Sequence, residues 1–127
     1  MADYPNLPIF RDAYALTLAM YSVTESMPRA SKYSLGLDMR RLSGELVDGI
    51  VMLNRLATDR SQLFEQAYLN LERLKIHIRL AYDVRSLDVK KYEQLATQCE
   101  TVGRQLAGWQ KWYNESARGR AGQNPPS

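Results

Sequence analysis

The sequence has one cysteine and one histidine, and none of its five prolines lies between Pro28 and Pro125. A lone thiol, Cys99, makes no intrachain disulfide, which excludes the cystine-stapled scaffold that small secreted domains rely on and points to a reducing compartment. A lone imidazole, His77, cannot serve a repeated histidine motif. The proline-free middle permits long helices. No run approaches the roughly 20 consecutive apolar residues of a membrane span, and the opening MADYPNLPIF lacks a basic region followed by an apolar one. The expectation is a cytoplasmic protein with no membrane partner.

What is present fits one globular domain. At 127 residues the chain can hide roughly two-thirds of its unfolded surface, and 45% hydrophobic with 24% charged residues are ordinary globular proportions. The net charge of +3 is uneven. Residues 1–70 hold seven Lys/Arg and eight Asp/Glu, whereas residues 71–127 hold ten and six. The second half therefore attracts polyanions, although so small an excess also occurs in proteins that bind no nucleic acid.

Breaks at Pro28, around Thr58 and Asp59, and at 86–88 divide the chain into four helical segments. Ile9, Ala13, Leu16, Met20, Val23 and Met27 share one face of the first, with Asn6 as its predicted cap. Leu35, Met39, Leu42, Leu46, Gly49, Leu53 and Leu56 line the second, where Gly49 is expected to admit a close neighbour and Ala57 to end the helix. Asp59 with Gln62 reads as a capping box for the third, whose seam is Leu63, Ala67, Leu71, Leu74, Ile78 and Ala81. Asp88 caps the fourth, and Tyr92, Leu95, Cys99, Val102, Leu106, Trp109 and Tyr113 follow in heptad spacing. Short connections make consecutive helices antiparallel, which predicts an all-α, up-down-up-down four-helix bundle over residues 1–116. The tail 117–127, ARGRAGQNPPS, is expected to be disordered, its Arg118 and Arg120 defining no site.

No catalytic or cofactor constellation is legible. A di-iron bundle needs Glu-x-x-His pairs, but Glu72, the nearest upstream glutamate, sits five residues and about 140° around the helix from His77. Cys99 falls on an apolar seam and reads as a structural thiol. Most aromatics, Tyr14, Tyr21, Tyr68, Tyr92, Trp109 and Tyr113 among them, read as core or subunit contacts rather than base-stacking platforms. Trp112, off the seam, is the predicted intersubunit contact.

Lys75 and Arg79 lie one turn apart on the third helix, flanked by Glu72 and Asp83, which equally describes a solvated face of local ion pairs. Arg73 faces elsewhere. Arg85, Lys90 and Lys91 cluster at the following turn with only Asp88 to offset them. These six are the candidate nucleic-acid-binding residues.

Three passages carry a family likeness: MPRASKYSLG after the first helix, YLNLERLKIHIRLAYDVRSLDVKKYEQ from the third into the fourth, and VGRQLAGW late in the fourth. Over residues 7–112 the chain resembles the accessory variability determinant proteins of diversity-generating retroelements, with Ala107 where a glycine is usual. The four-helix proteins of ribosomal RNA intervening sequences are similar in architecture, but their Asn-Ile-Ala-Glu-Gly passage is replaced here by DGIVMLN. The resemblance implies a homopentameric barrel that polymerises nothing itself. It also implies binding to a reverse transcriptase and to RNA, and secondarily DNA, through a basic surface that includes Lys75, Arg79 and, less consistently, Arg73. The competing expectation is a purely structural oligomerisation module, such as an intervening-sequence protein.

Overall fold

The computed structural model describes residues 4–55 and 60–116. Among them are four long helices and no strand: α1 (Pro8–Glu25), α2 (Leu37–Arg55), α3 (Arg60–Asp83) and α4 (Val89–Ser116). A 3-10 turn, Tyr4–Asn6, precedes α1, and an α-helical turn (Arg29–Ser31) followed by a π-helical turn (Lys32–Gly36) leads into α2. Helix α1 packs on α2 and α4, and α3 packs on the same two, while the diagonal pairs scarcely meet. That is the four-cornered ring expected of an up-down-up-down bundle.

The predicted seams of α1 and α4 are the buried ones, from Ile9 to Met27 and from Leu95 to Trp109, with Tyr92 and Tyr113 packed at the margin. In α2 the register departs from expectation. Ile50 is fully buried, whereas a Cβ built on Gly49 would meet nothing within 4 Å, so Gly49 admits no close neighbour. A period of 3.6 residues allows either the third or the fourth residue after Leu46 on the core face, and the packing here takes the fourth. Close approach occurs instead at Gly103, where a Cβ would lie 3.4 Å from Leu71 Cδ2. In α3 the large buried side chain is Phe64 rather than Leu63, and it meets Trp109 edge-on at 5.7 Å.

The predicted cap of α1 is also corrected. Asn6 is exposed within the 3-10 turn, and Leu7 stands at the N-cap in extended backbone without a side-chain bond. Pro8 opens the helix and has no N–H to cap. At the other end α1 stops at Glu25, ahead of Pro28, whose carbonyl accepts from the N–H groups of Ser31 and Lys32 at 3.0 and 2.8 Å and so starts the next turn. Asp88 does cap α4, its Oδ1 accepting the Lys91 N–H at 2.8 Å. The readings at Leu56, Ala57, Thr58, Asp59 and 117–127 lie outside the described residues.

The buried hydroxyls of Thr24 and Ser43 find partners, as a low-dielectric interior demands. Thr24 Oγ1 donates to the Met20 carbonyl at 2.6 Å and accepts from Arg40 Nε at 2.7 Å, and Ser43 Oγ donates to the Arg40 carbonyl at 2.9 Å.

Candidate nucleic-acid interface

On α3, Lys75 and Arg79 do share an exposed face, but each is matched by a carboxylate one turn away. Lys75 Nζ donates to Glu72 Oε1 at 3.1 Å, and Arg79 Nε donates to both oxygens of Asp83 at 3.1 Å. Asp83 first, and then the Tyr92 hydroxyl, hold Arg79 protonated even above its ordinary value. The four residues together carry no net charge. Arg73 is exposed and its side chain has no partner among the described residues; its carbonyl meets His77 Nδ1 at 2.8 Å, and His77 Nε2 lies 3.9 Å from Asp38 Oδ2. Among the described residues no group of three or more His, Cys, Asp and Glu is placed to hold a metal ion.

The turn from α3 to α4 is built differently. Helix α3 ends in a Schellman motif: the Ser86 N–H bonds back to the Ala81 carbonyl at 2.7 Å and the Arg85 N–H to the Tyr82 carbonyl at 3.0 Å. This motif needs a left-handed residue, and that residue is Arg85, with φ of 63°. Its side chain and that of Lys90 are exposed, with no carboxylate partner among the described residues.

Tertiary structure adds two cations that sequence reasoning missed. Lys91 Nζ donates to Ser26 Oγ at 2.9 Å, and the Ser31 and Ser86 hydroxyls share a hydrogen bond of 2.6 Å. These contacts lay the α1–α2 loop against the α3–α4 turn and bring Arg29 and Lys32 to the same end of the bundle. Arg29 is exposed and unpaired among the described residues, while Lys32 sits 3.8 Å from Glu25, which also serves Arg40 at 3.4 Å. The signal was present in the topology, because an up-down-up-down order puts its first and third connections at one end.

A family model described as bAvd-like matches residues 9–113, a span that contains all of these cations. The chain belongs to the bAvd-like family. Among curated proteins none matches it. Membership bears out the resemblance to accessory variability determinants and points to an accessory, noncatalytic role in a diversity-generating retroelement.

Other side chains of this bAvd-like chain are placed as structure rather than chemistry. Cys99 is fully buried between Leu95 and Val102, and desolvation pushes its thiol up to about 12, far from a reactive thiolate. Trp112 is partly buried against the protomer's own core, with its Nε1 buried and without a hydrogen-bond partner among the described residues. Tyr14 and Tyr21, by contrast, are half exposed. No helix among the described residues is long and apolar enough to cross a membrane.

Proposed function

We propose that this bAvd-like protein is a noncatalytic cytoplasmic accessory factor that binds the reverse transcriptase of its retroelement together with the template RNA and its cDNA, and so supports mutagenic reverse transcription. The observation that carries this reading is the family match across residues 9–113 combined with an exposed basic surface. In it Arg73, Lys75, Arg79, Arg85, Lys90 and Lys91 contribute electrostatic phosphate contacts that release counterions, so binding is indifferent to sequence and falls steeply with salt.

The protein works as a homo-oligomer, a five-membered barrel. Two apolar stripes support assembly. Tyr14, Leu18 and Tyr21 are exposed on α1, and Leu69, Ile76 and Leu80 on α3, diagonally across the bundle. Two different sticky faces favour a head-to-tail contact, which closes into a ring when the rotation permits.

The test is copurification of the polymerase with the tagged protein, together with affinity for a labelled RNA measured across a salt series. Salt-dependent RNA binding by a polymerase-associated oligomer is the expected result. The ion pairing of Lys75 and Arg79 favours a second reading, a structural module without nucleic-acid contact. An oligomer that retains the polymerase but shows no RNA affinity at low salt would establish that reading instead.

A further inference from the structure

The loop and turn at one end of the bundle, residues 26–36 and 84–91, hold five of the chain's 17 Lys/Arg and one of its 14 Asp/Glu. That single acid, Asp88, is committed to capping α4 through the Lys91 N–H. Glu25, at the edge, is shared by Lys32 and Arg40. Arg29, Arg85 and Lys90 face solvent with no carboxylate partner among the described residues. The contrast with α3 lies in pairing, since there Lys75 and Arg79 each share their charge with a carboxylate and attract phosphate less strongly.

We infer that this end of the bundle is the principal docking site for a single-stranded nucleic acid, with phosphates on Arg29, Arg85, Lys90 and Lys91 and an unpaired base stacked on Tyr33. The inference rests on the nucleic-acid reading above and names its site and strand form. Three features support it besides charge. The two segments are clasped by the Ser31–Ser86 and Lys91–Ser26 hydrogen bonds, so the cations are arrayed before binding, which lowers the ordering cost.

Arg85 occupies a left-handed backbone position that glycine would fill without strain. Its guanidinium makes no intramolecular bond among the described residues that would repay the conformation. Backbone strain kept for a solvent-facing cation marks a side chain that acts on something outside the chain. Tyr33, two residues from Ser31, is 63% exposed, and the Lys32 ammonium lies 5.7 Å from its ring centroid. An exposed ring with one cation against it suits an unpaired base, which a duplex keeps inside its own stack.

The experiment titrates a fluorescent oligouridine and a duplex of equal length against the full chain over a salt series. Its arms are the wild type, Arg29→Gln with Arg85→Gly and Lys90→Gln (the end variant), Lys75→Gln with Arg79→Gln (the face variant), and Tyr33→Ala. The end variant is expected to lose about tenfold or more in affinity at low salt. Its slope of log affinity against log salt should fall by about 2, three contacts at roughly 0.7 each. The face variant should change less than about threefold. Tyr33→Ala should weaken oligouridine binding several-fold and leave the duplex unchanged. Because Arg85→Gly relieves strain, a melting curve that does not drop separates lost contacts from lost fold.

An end variant that binds like a wild type with salt-dependent affinity overturns this site and leaves the nucleic-acid reading standing. Equal affinity for duplex and oligouridine, untouched by Tyr33→Ala, overturns the strand preference. A wild type that binds neither probe at low salt removes the nucleic-acid reading itself.

Discussion

Gln105 Nε2 donates to Asp12 Oδ2 at 2.7 Å, joining the last helix to the first across 93 residues of sequence. A part-buried hydrogen bond to a carboxylate contributes on the order of 1–2 kcal/mol. Gln105→Ala should therefore lower the free energy of unfolding by about that amount in a urea titration. The loss should be largely absent when the same substitution is made in an Asp12→Ala background, because the partner has already gone.

Cys99 couples stability to alkaline pH. The thiol titrates ordinarily near 9.0 and in the folded chain near 12. Between these values the folded chain holds a proton that the unfolded chain has released. This contribution is therefore intact below about pH 9 and is lost as pH climbs towards about 12, up to roughly 4 kcal/mol in all. Burial raises the Tyr68 phenol as well, which acts in the same direction. Unfolding measured from pH 8 to 11 should show a steep alkaline loss that Cys99→Ala flattens. An unchanged limb in that variant would assign the loss to other groups.

Arg85→Gly should stabilise the fold. Removing a Cβ from a left-handed position relieves about 1–2 kcal/mol, and the added freedom of the unfolded chain takes back about 0.4–1 kcal/mol. A net gain of roughly 0.5–1 kcal/mol corresponds to a melting temperature a few degrees higher. A decrease would mean that the Arg85 side chain contributes to folding.

Leu74 and Ile76 stand two residues apart on α3 with opposite environments, 0% and 63% exposed. Leu74→Ala leaves a cavity among the helices and should cost about 2–5 kcal/mol. Ile76→Asp should leave the circular dichroism spectrum of the protomer intact and reduce the mass seen by light scattering, because it puts a charge in the proposed intersubunit stripe. An unchanged mass would exclude the α3 stripe from the assembly.

The heptad of α4 and the four-three spacing of α1 were enough to name their buried faces, since a 3.6-residue period fixes which side chains share a side. The third and fourth segments also dictated the Asp88 cap, whose chemistry is local. The rest depended on how the helices came together. Gly49 and Ile50 differ by only about 100° around α2, and the packing of its neighbours decided which one faced inward. The ion pairs of Lys75 with Glu72 and of Arg79 with Asp83, by contrast, are local, formed within one turn of the same helix. Arg29, separated from Arg85 by two helices, had no local sign of belonging with it. A linear chain fixes local period and capping chemistry by itself. Only the packed bundle decides which distant charges share an unshielded surface, because the field at any point is the sum over everything brought near it.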